Sequence, residues 1–315
     1  MSQAAPYHAD IAGNPDGICH WLTTVDGVRI RVGHWPAPNA LGTVLIFPGR
    51  TEYIEKYGRT ATELTKRGFA CVAIDWRGQG IADRLLPNRA VGHVDVFEDY
   101  QLDVKAALLH VKSLGLPEPY HLLAHSMGGC IGLRSLYDGL PVKSAVFSAP
   151  MWGIKMSPAL RPIAWGLSSV SKQLGFGGVF APGQQAETYV LRATADDNTL
   201  TSDSTNFDIL QQQLKVQPDL ALGGPSLHWL NESLREMRVL AQRPSPDIPC
   251  LTFLGSDEAI VDPTRIYDRM ANWSNGELVV LEKGRHEVLM EVPDIRTRVL
   301  DGASALFSAH SPEMA

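Results

Sequence analysis

No uninterrupted apolar run comes near the roughly 18 residues that a membrane-spanning helix needs. The opening residues, Met1-Ser2-Gln3-Ala4-Ala5-Pro6, lack the basic and apolar regions of a secretory leader, so a cytoplasmic location is expected, with room for peripheral attachment to the inner membrane. Positive charge is also scarce. With 28 Lys and Arg against 34 Asp and Glu, the net charge is −6 and the pI about 5.9. That balance gives no footprint for nucleic acid and no strong attachment to an anionic surface. Cysteine is sparse, and Cys19, Cys71, Cys130 and Cys250 show no paired spacing. This argues against a disulfide framework or a zinc cluster and predicts buried free thiols. Repeats, low-complexity tracts and disordered bias are absent as well. What remains is a chain of 315 residues, 44% of them hydrophobic, long enough for one large α/β domain with an insertion.

The order of apolar segments gives the architecture. Residues 18 to 34 alternate around Asp26-Gly27 and predict an N-terminal antiparallel hairpin. Short, nearly continuous apolar runs then follow at 43–47, 71–75, 121–124 and 145–148, the composition of strands buried on both faces. Helical spacing fills the intervals 52–67 and 97–113, with Gly68 and Gly115 just past the ends. Strand alternating with helix predicts an α/β fold with a doubly wound, mostly parallel sheet. After Ser148-Ala149-Pro150 the alternation stops, and strands resume only at Cys250. Residues 1–150 and 246–315 are therefore expected to form the core, with 151–245 as an inserted helical cap. Strand 278–281 and helix 292–307 complete the order.

Within Tyr120-His121-Leu122-Leu123-Ala124-His125-Ser126-Met127-Gly128-Gly129, an apolar strand stops at a serine and is followed at once by two glycines and a helix. This is the pattern of a nucleophile elbow. A serine hydroxyl is a weak nucleophile and needs a base, an acid to orient that base, and donors for the oxyanion. His286, directly after the last strand, is placed to be the base. The acid should lie between serine and histidine in chain order, and the loop after strand 250–254 offers Asp257, Glu258 and Asp262. Asp262, before Pro263, also fits the start of a helix. The oxyanion donors are expected to be backbone N–H groups, one at Met127 and one at Arg50, in the loop Pro48-Gly49-Arg50-Thr51. The Arg50 guanidinium has two readings, an acidic substrate group or an ion pair with a nearby carboxylate.

His125 should face away from Ser126 and make a buried structural hydrogen bond. His121 and His125 share a strand face without a third ligand at metal spacing, so no metal is expected. The segment Asp75-Trp76-Arg77-Gly78-Gln79-Gly80 lacks a dinucleotide-binding register and is read as a turn held by hydrogen bonds of Asp75 and Arg77. Trp152, Trp165, Phe176, Phe180 and Trp229 are candidates for an acyl pocket, each also suited to packing inside the cap.

Several blocks together resemble one family, lysophospholipase L2 and the related monoacylglycerol lipases of the α/β-hydrolase superfamily with the S33-type domain. They are Phe47-Pro48-Gly49-Arg50-x-Glu52, Asp75-x-Arg77-Gly78-Gln79-Gly80, Arg84-Leu85-Leu86, Gly92-His93-Val94, Asp99-Tyr100, Ala124-His125-Ser126-Met127-Gly128-Gly129 and Ala149-Pro150-Met151. In the cap, Gly223-Gly224-Pro225-x-x-His228-Trp229 resembles a signature of the lysophospholipase L2 branch, with Ser226 and Leu227 where that branch has Thr and Tyr. The likeness implies a serine carboxylester hydrolase acting on a single-chain lipid or other small acyl ester, without cofactor. In the superfamily's register Glu258 takes the acid's place, with Asp257 as runner-up. Gly49, Trp152, His228 and Trp229 are the expected substrate contacts. Transient contact with a membrane surface is compatible with such a substrate, and the oligomeric state is not legible. A general esterase or proline-type serine peptidase and a non-catalytic small-molecule sensor are the alternatives.

Overall fold

A computed structural model describes residues 2–157, 165–167 and 176–312 of the chain. Its frame is a nine-stranded sheet in the order β1-β2-β3-β5-β4-β6-β7-β8-β9. The strands are β1 (Gln3–Ala5), β2 (Ile18–Thr23), β3 (Arg29–Trp35), β4 (Gly42–Phe47), β5 (Phe69–Asp75), β6 (Tyr120–His125), β7 (Val142–Ser148), β8 (Cys250–Gly255) and β9 (Gly276–Leu281). Strands β1 to β3 are antiparallel, β3 joins β5 in the same sense, and the six strands from β5 to β9 in sheet order run parallel. The predicted hairpin and parallel strands are all present. The first strand and the short helix α1 (Ala9–Ala12) were not expected, because three residues of moderate hydrophobicity carry no periodic signal.

Helices α2 (Gly58–Lys66), α3 (Tyr100–Ser113) and α4 (Met127–Tyr137) connect the parallel strands. Later come α5 (Ser204–Val216), α6 (Leu227–Ala241), α7 (Pro263–Met270) and α8 (Pro293–Ala309). The sheet separates two apolar layers. One contains Leu45, Phe47, Leu122, Ala124 and Ile131, and the other Val44, Ile46, Leu123, Val299 and Phe307. Successive residues of β4 and β6 thus enter opposite layers, which is why these strands read as unbroken apolar runs. The four cysteines are buried and free.

Between β7 and β8 the chain leaves the sheet, and this stretch contains α5 and α6. Asp203 caps α5 by accepting from the Asn206 N–H, and Ser226 caps α6 by accepting from the Trp229 N–H. The segment is tied to the loop after β5, since the Gly92 N–H donates to the Gly224 carbonyl at 2.9 Å and the Ser226 N–H to the Gly92 carbonyl at 2.8 Å. The turn after β5 is held as expected. Asp75 accepts from Arg31 and from the Ile54 and Ile81 N–H groups, while Arg77 donates to Asp103 and Asp26.

Candidate active site

Ser126 occupies the turn between β6 and α4 with φ +49° and ψ −117°. A positive φ is costly for a residue with a side chain and persists only where the surroundings enforce it. Three backbone hydrogen bonds do so here: the Ser126 N–H donates to the Ser148 carbonyl, and the Ser126 carbonyl accepts from Gly129 and Met151. A Cβ on Gly128 would lie 2.0 Å from the Phe47 carbonyl oxygen, so only glycine lets α4 start against the end of β4. Ala124 stands where many elbows have glycine. Its methyl fits because Gly132 lies opposite, where an added Cβ would approach it to 3.3 Å. The accommodation thus comes from a second small residue across the crossing.

His286 follows β9 on the loop entering a short 3₁₀ turn, and its Nδ1 lies 2.7 Å from Glu258 Oε2. The other carboxylate oxygen, Oε1, accepts from the N–H groups of Ile260 and Val261 at 2.6 and 3.1 Å. Burial raises the Glu258 carboxyl, but the neighbouring His286 and the two N–H donors outweigh it and hold the group below its usual range. Asp257 is exposed and accepts from the Ser256 hydroxyl. Asp262 caps α7 at the Thr264 N–H. Of the three acids in the loop, Glu258 is thus the one hydrogen-bonded to His286. With Nδ1 engaged, Nε2 is the ring nitrogen available toward Ser126. Ser126 and His286 line one cavity, and among the described residues no direct hydrogen bond joins them. Serine–histidine contacts are often loose without substrate.

The Met127 N–H is the first of α4 and has no partner within the helix. The Arg50 N–H has no partner among the described residues, whereas the next one, at Thr51, donates to Gln79 Oε1. Gly49 is held by its N–H donating to Glu52 Oε2 and its carbonyl accepting from Gln79.

Behind His286 lies a buried charge cluster that the sequence did not suggest. Lys56 Nζ bridges Glu52 Oε1 and Glu287 Oε2, the second contact at 2.7 Å, and the Tyr57 hydroxyl donates to Glu52 Oε2 at 2.6 Å. His125 Nε2 stands 3.3 Å from Glu287 Oε1, its Nδ1 lies 3.0 Å from the Ser148 carbonyl, and its ring centroid is 4.8 Å from that of His286. The structural hydrogen bond expected of His125 is therefore present, yet the ring also reaches the cavity wall. Ligand-type atoms of Glu52, His125 and Glu287 lie within 4.8 Å of one another, as a metal would require. The Lys56 ammonium, however, already supplies the positive charge between the two carboxylates. His121 bonds to Ser144 and Ser311 instead, against the rings of Phe69 and Phe307.

The cavity has a volume of about 550 Å³, and its wall is mostly apolar: Met151, Leu200, Leu210, Leu214, Leu227, Ile260 and others surround Ser126, His286 and Arg50. Of the predicted substrate contacts Trp229 lies on this wall, and Trp152, His228 and Gly49 do not. Trp152 packs on Phe147 and Trp273, with its indole N–H donating to the Gly129 carbonyl. His228 turns to the Asp95 carbonyl at 2.6 Å and packs on His93. Both were misread because aromatic identity does not reveal which layer a ring enters. Phe176 is exposed, Phe180 bridges to Ser226, and Trp165 packs against the main core. Leu210 and Leu214, four apart on α5, were missed. Their spacing announces an amphipathic helix but not that its apolar face borders a void.

The family described as Hydrolase_4, serine aminopeptidase S33, matches residues 38–293. Lysophospholipase L2 of Escherichia coli K12 is 30% identical over 92% of this chain and 87% of its own length. The probable lysophospholipase L2 of Haemophilus influenzae is 29% identical, covering 85% of this chain and 84% of its own. Among solved structures, a soluble variant of monoglyceride lipase from Saccharomyces cerevisiae in complex with a substrate analog superimposes with a TM-score of 0.73 at 20% identity, covering 92% of this chain and 95% of that one. A matched span from residue 38 to residue 293, which takes in Ser126, Glu258 and His286, makes the chain a member of the Hydrolase_4 family of α/β-hydrolases.

Proposed function

We propose that this protein is a serine carboxylester hydrolase that releases the acyl chain of single-chain lipids, lysophospholipids or monoacylglycerols, through an acyl-enzyme. The carrying observation is that a strained Ser126 and His286, the latter hydrogen-bonded to Glu258 behind it, open on an apolar cavity of about 550 Å³. In this reading His286 Nε2 takes the proton as Ser126 Oγ attacks the ester carbonyl, and Glu258 stabilises the imidazolium. The Met127 and Arg50 N–H groups receive the oxyanion. His286 then returns the proton to the departing glycerol oxygen. Water repeats the cycle on the acyl-serine.

The segment 151–245, of which 158–164 and 168–175 lie outside the described residues, acts as a cap, with α5 and α6 supplying the wall that accepts the acyl chain. A bilayer-borne substrate is taken up through transient surface contact; no helix among the described residues is long and apolar enough to cross a membrane. The peptidase alternative has less support, because a substrate amine needs a free carboxylate. Those on the wall, Glu52 and Glu287, are both bound to Lys56. The test is a hydrolysis panel of lysophosphatidylcholine, a monoacylglycerol, short p-nitrophenyl esters and aminoacyl amides, each repeated with Ser126→Ala. Turnover of the lipid esters above the amides, abolished in the variant, is expected. Preferential turnover of the amides would overturn the reading.

A further inference from the structure

Arg50 lies on the cavity wall, and its guanidinium has no countercharge among the described residues. Its one hydrogen bond to a described residue runs from Nη2 to the Gly223 carbonyl at 2.7 Å. Its Cζ lies 5.3 Å from the ring centroid of Trp229, and its Nε is buried without a partner. Burial lowers its pKa to about 10, against a small opposing effect of Tyr100. No carboxylate among the described residues pairs with it, so the ion-pair reading of this side chain is set aside. A desolvated cation faced by a carbonyl and an aromatic ring has unmet demand for an anion.

The fold builds this arrangement deliberately. A Cβ on Gly92 would come within 3.2 Å of Arg50 Nη2. Gly92 is hydrogen-bonded on both sides to Gly224 and Ser226, and Ser226 Oγ is fixed at 2.8 Å from His93 Nδ1. The block from Gly223 to Trp229, together with Gly92-His93, thereby forms a cradle for one guanidinium. The triad chemistry makes no use of these residues.

Resting on the ester-hydrolase reading above, we infer that the Arg50 side chain binds the phosphate of the substrate, so that the cavity selects phosphate-bearing single-chain lipids over neutral ones. The backbone of Arg50 is proposed to hold the ester oxyanion, and its guanidinium sits a short aliphatic stem away. In a lysophospholipid the ester carbonyl and the phosphate are likewise separated by one glycerol unit. A planar guanidinium can meet two phosphate oxygens at once, which the hydroxyls of a monoacylglycerol cannot match.

The test compares kcat/KM for lysophosphatidylglycerol and for a monoacylglycerol of the same chain, in the wild type, Arg50→Lys and Arg50→Met. The phosphate-to-neutral ratio is expected to fall about 10- to 100-fold in Arg50→Met, mainly through KM, and to be partly kept in Arg50→Lys. General damage to the loop lowers both substrates together, so an unmoved ratio overturns the inference. Inhibition of the wild type by ether-linked analogues provides a second reading that needs no variant. The phosphate-bearing ether should inhibit at least about tenfold more tightly than the neutral one, and less so at high salt. Equal inhibition also overturns it. A wild type inactive on both esters removes the hydrolase reading itself.

Discussion

Lys56 and Arg50 are six positions apart, both border the same cavity, and they meet opposite fates. Lys56 is clasped by Glu52 and Glu287 beneath His125, and although burial alone lowers its pKa, the two carboxylates raise it above the usual lysine range. Arg50 has a backbone carbonyl and an indole face, and its pKa falls. The lesson is that burial of a cation does not by itself declare a role. A cation whose countercharge is built into the chain holds elements together, here the loop that carries Glu52, α2's leading turn and the His286 loop. A cation whose countercharge is missing is available to something that arrives from outside.

The largest effect is expected between these two regions. Ser126→Ala and His286→Ala leave both cations in place and should lower p-nitrophenyl ester turnover by about four orders of magnitude or more. Substantial activity in Ser126→Ala would remove the nucleophile assignment. Glu258→Gln should cost roughly 10²- to 10⁴-fold in kcat, because an amide holds the imidazole but does not stabilise its charged form.

Next comes a stability contrast that addresses the comparison directly. Lys56→Met leaves two buried carboxylates facing each other and is expected to destabilise the fold by about 3–5 kcal/mol in urea denaturation. Arg50→Met removes an unpaired cation and should shift stability by no more than about 1 kcal/mol, in either direction. Equal losses for the two variants would erase the distinction. The pH dependence carries a sign as well. The raised Lys56 contributes stability that is complete below the ordinary lysine pKa and is lost as pH rises through its higher folded value. For Glu287, burial acts upward, but His125 and Lys56 hold it well below the usual carboxylate range. Its contribution is complete above the ordinary carboxylate pKa and is lost as pH falls through the depressed value. The cluster should therefore be most stabilising between those limits, and Lys56→Met should flatten the alkaline limb of a stability-versus-pH curve. The smallest effect belongs to Asp257→Asn, for which ester turnover within about twofold of wild type is expected. A crippled Asp257→Asn beside a mild Glu258→Gln would reverse the acid assignment.

The same contrast explains what could be read from the sequence. Strands β4 to β9 announce themselves through apolar runs, and Ser126, His286 and an acidic loop follow each at a strand's end, whereas the choice of Glu258 among the loop's three acids comes from the superfamily's register and not from local spacing. The Lys56 cluster joins residues 52, 56, 125 and 287, and a Glu and a Lys four apart on their own look like an exposed helical pair. Burial is a property of what packs above, which local spacing does not contain. Trp152 and His228 illustrate the converse, since their chemistry suits a pocket while their partners, Trp273 and the Asp95 carbonyl, draw them elsewhere. For Arg50 both readings of the side chain were available, and only the neighbourhood of Gly92, Gly223 and Trp229 separates them.

The contact of Gly128 with the Phe47 carbonyl bears on how this scaffold can diversify. It sets the gap between the starts of the two segments that carry the proposed oxyanion donors, and it does so peptide against peptide. A spacing held that way is indifferent to drift in the surrounding side chains. Under the proposed function, exchanging Leu210 or Leu214 in the wall above alters which acyl chain fits, while the Ser126 turn keeps its place beneath them. The width of the wall can thereby change without disturbing the backbone geometry at Ser126.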